Sequence, residues 1–382
     1  HQHSDVVPET EPYGSADAVW EPVAENFQHI RTSQVPDFDV HALDELETWA
    51  RSVWQALQAT FARRKADGFI RQCHGDLHLR NLAWINGQAV AFDWIEFNRN
   101  LSCIDVLCDV AFLVMDLQDR QQPRLANRFL NGYLEHTGDY ESLEVLPYYL
   151  AYRALVRAKV TAIRLSQPDV PDPDAVLGEF QEYLRLARSY GHQDRPVLIL
   201  TCGLSGSGKT TVTTPLLEHL GAIRLRSDVE RKRLFGLRAD ESGRAAPGRG
   251  IYDANAHDKT YQRLLELTRG LIGAGRSVIV DATFLEAERR EPFRALAGEL
   301  AAGFVLLEVT APADELRRRV AGRQGDASDA DLSVLEAQLA SLDQQPLVSA
   351  AERDELIVVD TTNEIDYPSL AQEIVNAAEP GQ

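Results

Sequence analysis

The run Val197-Leu-Ile-Leu-Thr-Cys-Gly203-Leu-Ser-Gly-Ser-Gly208-Lys209-Thr210-Thr211 constrains this chain more than any other stretch. An unbroken apolar segment followed by G-x-x-x-x-G-K-[ST] predicts a buried strand, a glycine-rich turn and a helix behind it. Each part has a physical task. Glycines let backbone N–H groups curl around phosphate oxygens, the lysine reaches the outer phosphates, and the threonine hydroxyl completes a Mg²⁺ shell. The helix points its positive end at the anion. Nucleotide contact is accordingly expected from Gly203, Ser205, Gly206, Ser207, Gly208, Lys209, Thr210 and Thr211, with ATP and GTP both open. The competing reading is a glycine-rich turn that happens to contain Lys-Thr, and the strand-like Val197–Thr201 argues against it.

Downstream of this motif, strand and helix patterns alternate. Strands are expected at Val197–Cys202, Ala222–Leu225, Ser277–Val280, Phe304–Val309 and Leu356–Val359, with helical periodicity between them. That order predicts an α/β fold, a parallel sheet with helices on both faces. Upstream, residues 1–40 are proline-dotted and read as loop, and residues 41–66 carry an apolar stripe at helical spacing. Leu82–Ile85 and Ala89–Phe92 flank Asn86-Gly87, the strongest short signal for a β-hairpin. Residues 104–188 are again helical apart from a proline-rich break at Ser166–Pro173. At 382 residues the chain exceeds one ordinary core. We read two domains, 1–190 and 195–382, joined through Ser189–Arg195.

Three segments of the second half carry chemistry. Arg226-Ser-Asp228-Val-Glu-Arg231-Lys-Arg233 follows the second expected strand, at the end where an open α/β sheet presents ligands. Asp228 suits a base for an attacking hydroxyl or a support for Mg²⁺, and the adjacent arginines suit an anionic acceptor; a helix cap with an exposed charged turn is the bland alternative. Val280-Asp281-Ala-Thr283 ends a buried strand in a carboxylate fit for Mg²⁺ or for orienting an acceptor. Arg319 and Arg323, one turn apart, suit a lid that neutralises a transferring phosphoryl group. Together these segments resemble the P-loop kinase group that includes polynucleotide 5′-kinases, zeta toxins and gluconate-kinase-like enzymes, over about residues 195–362. The resemblance implies Asp228 as general base, Arg231 on the acceptor's phosphate and Arg319 and Arg323 on ATP. It implies a reaction type rather than an acceptor.

The first half holds a second constellation, His74-Gly-Asp76-Leu-His78-Leu-Arg-Asn81 followed by Phe92-Asp93. H-x-D-x-x-x-x-N spaces a carboxylate for a hydroxyl and an amide for Mg²⁺, and an Asp on the far hairpin strand can join the metal. This resembles the aminoglycoside phosphotransferase family, which implies Asp76 as catalytic base and Asn81 and Asp93 as Mg²⁺ ligands. Asp105 and Asp109 read as structural, as a helix start and hydrogen-bonding residues. Nothing ahead of His74 supplies G-x-G-x-x-G, and Lys65 falls on an expected helix. The first half therefore resembles a kinase-like C-lobe without its N-lobe, and a catalytically silent scaffold stays open beside it. The order of the halves is similar to bacterial fusions of a phosphotransferase-like domain with a P-loop kinase. The start at His1 reads as a fragment, a processed product or a tag remnant.

Charge narrows the partners. A formal net charge of −19 opposes tight binding to a nucleic-acid backbone. Cys73, Cys103, Cys108 and Cys202 show no metal spacing and read as reduced thiols of a cytoplasmic protein; no stretch reads as a membrane span. The expectation is an ATP:Mg²⁺ kinase acting on a hydroxyl of a small metabolite or nucleotide. A polynucleotide 5′-hydroxyl or a sugar nucleotide are alternative acceptors. A nucleotide-dependent switch controlling the first half is the alternative from another class.

Overall fold

The computed structural model describes the chain apart from residues 34, 37, 193, 240, 242–253, 323–330, 343–346 and 380–382. It divides into two compact units, His1–Ala126 with Ser142–Gln193, and Asn127–Glu141 with Asp194–Gln382. By its contacts, Asn127–Glu141 groups with the second unit although it precedes the boundary read from sequence.

The first unit opens with a departure from expectation. Residues 1–40 are not loop throughout, because Ala16–Thr32 forms helix α1 with Pro22 inside it. Ser15 starts the helix by accepting a hydrogen bond from the Ala18 N–H. Val23, Phe27 and Ile30 then bury one stripe. An interior proline costs about 3 kcal/mol, and each buried apolar side chain returns about 1.5–3 kcal/mol, so burial outweighs the proline. The run of helical spacing over 41–66 forms two helices, α2 (Val40–Ala56) and α3 (Gln58–Ala66), parted at Leu57.

Short strands follow: β1 (Ile70–Gln72), β2 (Leu82–Ile85) and β3 (Gln88–Ala91). Asn86 and Gly87 take φ of +51° and +80° between β2 and β3, the left-handed pair that a two-residue hairpin turn needs. Helix α4 (Arg99–Ser102) leads into β4 (Cys103–Asp105), antiparallel to β1. Helix α5 (Val106–Asp119) comes next, α6 (Pro123–Thr137) belongs to the second unit from Asn127 on, and α7 (Leu146–Leu165) and α8 (Pro173–Ser189) complete the first. Every residue of α5 from Val106 to Leu117 is buried, so it forms the centre of the unit, and α7 packs on it.

In the second unit β5 (Val197–Cys202), α9 (Lys209–Leu220), β6 (Ile223–Arg226) and α10 (Ser227–Leu234) follow the Asn127–Glu141 segment. Then follow α11 (Ala254–Gly273), β7 (Val278–Asp281), α12 (Ala287–Glu299), β8 (Gly303–Thr310) and α13 (Ala313–Ala321). Helix α14 (Leu332–Leu342), β9 (Leu356–Asp360) and α15 (Tyr367–Ala378) end it. The sheet is parallel in the order β6-β7-β5-β8-β9. Ile199, Ile279, Val305, Leu307 and Val359 point to α9 and α15. Alternation turns Leu198, Leu200 and Leu306 to the opposite face, where α11 and α12 lie. The chain leaves β5 toward β6 and leaves β8 toward β9, so the crevice between their carboxyl ends is the ligand position of such a sheet.

The free edge of β6 is met by Asn131, whose carboxamide replaces a neighbouring strand. Its Nδ2 donates to Ala222 O at 3.0 Å and its Oδ1 accepts the Arg224 N–H at 2.8 Å. Among the described residues no helix is long and apolar enough to cross a membrane.

Candidate functional site

The turn after β5 is shaped for an anion. Gly203, Gly206 and Gly208 have φ of +145°, +84° and +96°, backbone that side chains oppose. A Cβ on Gly203 would stand 2.2 Å from Val309 O, and one on Gly206 would meet Val320 at 2.8 Å. Gly208 caps α9, so the helix begins at Lys209 with its N-terminus on the turn. Lys209 Nζ donates to Gly203 O and Leu204 O, each at 2.9 Å, which arches the side chain back over the turn. Ser207 Oγ is buried and has no hydrogen-bond partner among the described residues. A cradle closed to Cβ atoms, with an orphaned hydroxyl in it, fits a nucleotide phosphate. Ser205 is buried in the same turn, while Thr211 is exposed on the first turn of α9.

Thr210 and Asp281 come together as a hydroxyl–carboxylate pair. Thr210 Oγ1 donates to Asp281 Oδ2 at 2.8 Å, and Thr213 Oγ1 donates to the same oxygen at 3.2 Å. Hard oxygen donors next to a phosphate cradle suit Mg²⁺, which takes one or two protein oxygens and completes its shell with phosphate and water.

Arg319 lies at the edge of this turn. Its Nη1 donates to Thr361 Oγ1 at 2.7 Å and, more weakly, to Ser207 O and Gly206 O, while its Nε pairs with Glu315. Hydrogen bonds from Arg318 and Arg319 pull the partly exposed Glu315 carboxyl down to about 2. Its expected lid partner, Arg323, lies outside the described residues. Gln338 of α14 adds a contact that the sequence did not suggest, its Oε1 accepting the Ser205 N–H at 2.9 Å. Leu204, Leu316, Val320 and Leu335 cluster beneath, so α13 and α14 are seated on the turn by apolar packing.

A second group of polar side chains gathers at the carboxyl ends of β6 and β7. Asp228 does not cap α10; the cap is Arg226, and Asp228 sits in the first helical turn with Oδ1 accepting from Arg231 Nη1 at 3.0 Å. Next to Arg231 the structure places residues that sequence reasoning missed: His257 and Tyr261, one turn apart on α11, and Arg289. The rings of His257 and Tyr261 are 4.9 Å apart, and the Arg289 guanidinium lies 5.4 Å from the Tyr261 ring. Tyr261 hydrogen-bonds Thr283, and burial raises its pKa. Burial, then the Arg231 and Arg289 charges, holds His257 below its ordinary pKa, against Glu286 and Asp258. Asp258 also pairs with Arg289 at 2.5 Å. The i,i+4 His–Tyr spacing was the available signal, but on a helix it also describes an ordinary packed face.

In the first unit, Asp76 and Asn81 are brought together, with Asn81 Nδ2 donating to Asp76 Oδ2 at 3.0 Å. His78 Nε2 is 3.3 Å from the same oxygen. Burial opposes ionisation of Asp76, but His78, Arg153 and Asn81 outweigh it and hold the carboxyl below its usual range. Asp93 is exposed, with φ of +63°, directly after Phe92, whose carbonyl lies 2.8 Å from His74 Nε2.

Asp105 and Asp109 are structural, as read. Asp105 caps α5 through the Leu107 N–H and accepts two hydrogen bonds from Arg64. Buried Asp109 accepts the His74 and Gly75 N–H groups at 3.1 and 2.9 Å, anchoring the loop that carries Asp76. Asp109→Asn turns an amide N–H₂ toward one of these donors. It should cost about 2–3 kcal/mol, seen as a lower unfolding midpoint of the first unit by tryptophan fluorescence. An unchanged midpoint contradicts the anchoring role.

Residues 11–146 match the family described as the phosphotransferase enzyme family, and residues 198–346 match the family described as an AAA domain. Two uncharacterised proteins, of Mycobacterium tuberculosis and Mycobacterium bovis, are each 32% identical to this chain over 285 residues. The match covers 74% of this chain and 56% of each relative, so the chain spans about half the length of the curated relatives it matches. Among solved structures, the APS kinase of M. tuberculosis is 20% identical, covering 48% of this chain and 97% of that one, with a TM-score of 0.33. A sugar kinase from Janibacter sp. is 22% identical, covering 48% and 93%, with a TM-score of 0.34. The chain thus combines a region that matches the phosphotransferase enzyme family, residues 11–146, with one that matches an AAA domain, residues 198–346.

Proposed function

We propose that the second unit is an ATP- and Mg²⁺-dependent kinase that transfers the γ-phosphoryl group to a hydroxyl of a small metabolite or nucleotide. One observation carries this reading. The phosphate cradle, the Thr210–Asp281 pair and the Asp228–Arg231 pair stand at the carboxyl ends of β5, β7 and β6, on one rim of the sheet.

The turn amides and Lys209 Nζ hold the phosphates, and Thr210 with Asp281 would hold Mg²⁺, which supplies charge neutralisation at the phosphate oxygens when bound. Asp228 Oδ1 is engaged by Arg231, which leaves Oδ2 to take the proton of the acceptor hydroxyl as it attacks. Arg319 lies over the turn, where its charge offsets negative charge on the transferring group. Arg231 serves the acceptor, and Thr283, held by Tyr261, lines the same side. The net charge of −19 favours a small acceptor over a polynucleotide end.

In the first unit the same logic assigns Asp76 as a base, with Asn81 and Asp93 as its metal oxygens, for a second phosphotransfer site. All four cysteines are free and buried, which supports a reducing, cytoplasmic setting.

Asp228→Asn tests the assignment with labelled ATP and a panel of hydroxyl metabolites, sugar nucleotides and oligonucleotides. Transfer should fall about 10²–10⁴-fold, the worth of a positioned general base, while Mg·ATP affinity stays near wild type. Wild-type turnover in the variant removes Asp228 from the mechanism. Nucleotide binding without labelling of any panel member favours the switch. The same panel run on Asp76→Ala assigns any activity left over to the first unit.

A further inference from the structure

The second unit contains a charged chain that the mechanism above does not use. It starts on α6 at Glu135, whose two carboxylate oxygens each hold one arginine of β6. Arg224 Nη2 lies 3.2 Å from Oε2, and Arg226 Nη1 lies 3.1 Å from Oε1. Residues 224 and 226 are two apart on a strand, so both side chains leave the same face and reach one carboxylate. Glu135 lies in the last turn of α6, where the helix dipole disfavours an acid, so its presence there answers the two guanidiniums. Arg233 donates to the Glu135 backbone carbonyl.

Arg224 continues the chain inward. Its Nη1 donates to Thr214 Oγ1 at 2.7 Å, to Thr213 Oγ1 at 3.2 Å and, at 3.5 Å, to Thr210 O. Thr213 Oγ1 in turn donates to Asp281 Oδ2, the oxygen that also accepts from Thr210 Oγ1. One hydroxyl therefore separates a largely buried guanidinium from the proposed metal carboxylate. A cation so placed competes with a divalent ion for that carboxylate unless its own charge is matched nearby, because low-dielectric surroundings screen it poorly.

We propose that Glu135 is a positioning residue for the metal pair: it holds Arg224 in an ion pair and so leaves Asp281 available to Mg²⁺. This rests on the reading of Thr210 and Asp281 as the Mg²⁺ site. It adds to that site a residue of α6, from outside the stretch that carries the phosphate motif.

The test uses the full chain and a fluorescent ATP analogue, titrated with Mg²⁺ and, separately, with EDTA present. Wild type should bind the analogue more tightly with Mg²⁺. Glu135→Gln keeps the shape and a hydrogen-bonding oxygen but removes the charge. It should raise the Mg²⁺ midpoint about 5–10-fold, an effect of the size expected for a lost charge pair in partly buried surroundings. Metal-free affinity should move less than about twofold, since no phosphate contact has changed. The double variant Glu135→Gln/Arg224→Gln removes the competing cation as well and should return the midpoint toward wild type.

A merely structural Glu135 predicts the opposite pattern: metal-free and Mg²⁺-bound affinities fall together, and the double variant is no better than the single one. Either that pattern or an unshifted midpoint in Glu135→Gln overturns the proposal. Should Glu135→Gln fail to fold by circular dichroism, Glu135→Asp, which keeps the charge on a shorter arm, must show a smaller shift of the same sign. A wild type whose affinity ignores Mg²⁺ removes the metal-site reading, and this proposal with it. A wild type that responds while Glu135→Gln responds identically removes this proposal alone.

Discussion

Lys209→Met should lower ATP-dependent labelling by the second unit about 10²–10³-fold or more, the loss expected when a preorganised donor to transition-state charge is removed. Lys209 starts α9, and its Nζ is held over the turn by Gly203 O and Leu204 O. Only five lysines occur in the chain, and the other four lie outside the glycine turn. Methionine matches the length and helix propensity of lysine, so the unfolding midpoint should move by no more than about 3 °C. Loss of transfer without loss of fold, read by filter-bound label and by circular dichroism, is the expected pair of results. Undiminished transfer places the measured activity in the first unit, where Asp76→Ala should then abolish it.

Arg290→Ala should produce the largest loss of stability. Arg290 on α12 is buried and makes a two-pronged pair with Glu352, Nε to Oε1 at 2.7 Å and Nη2 to Oε2 at 2.8 Å. Its remaining donors satisfy Phe284 O and Leu347 O. Removing one partner of such a pair leaves the other charge buried and costs about 3–5 kcal/mol. Arg269→Ala is the control: its pair with Glu299 is also two-pronged but exposed, and its loss should cost under about 1 kcal/mol. Urea unfolding followed by circular dichroism makes the comparison. Tryptophan emission tracks the other unit, because Trp20, Trp49, Trp54, Trp84 and Trp94 all lie in it.

The same pair sets a pH dependence. The Arg290 hydrogen bonds, against burial and with help from Ser349, hold Glu352 at about 2, below its ordinary value of 4.5. A depressed acid stabilises the fold above its unfolded pKa, and that contribution fades as pH falls through the folded one. Second-unit stability should therefore drop between about pH 4.5 and pH 2, and Glu352→Gln should flatten that drop. Equal acid sensitivity in the variant would assign the transition to other carboxylates.

How much of this was legible in the sequence depended on whether local signals agreed with tertiary ones. The five strands of the parallel sheet were readable because each is a short apolar run bounded by polar or glycine residues, and their observed limits differ by a residue or so. Asn86-Gly87 was readable because few other residue pairs adopt two left-handed conformations in succession. Helix α1 was not, since Pro22 signals a break locally and only burial of Val23, Phe27 and Ile30 overrules it. β1 and β4, three residues each, form by pairing across a long separation and carry no pattern of their own.

The site residues divide the same way. Those supplied by the glycine turn announce themselves by spacing. His257, Tyr261, Arg289, Gln338 and Glu135 do not, because their significance lies in neighbours distant along the chain. Arg224 was visible only as a charge within an expected strand and Arg226 only as an arginine beside Asp228, and the carboxylate between them precedes the motif-bearing half altogether.

The carboxamide of Asn131 along the edge of β6 has a consequence for how the protein is made. Its bond to Ala222 O spans 91 residues. Synthesis runs from the N-terminus, so Asn131 leaves the ribosome well ahead of the strand it serves and must wait for it. Ordering a loop of that length is an entropic cost met before any contact rewards it. Closure of the β6 edge is therefore a late event in folding, and until then the strand presents open N–H and C=O groups to other chains.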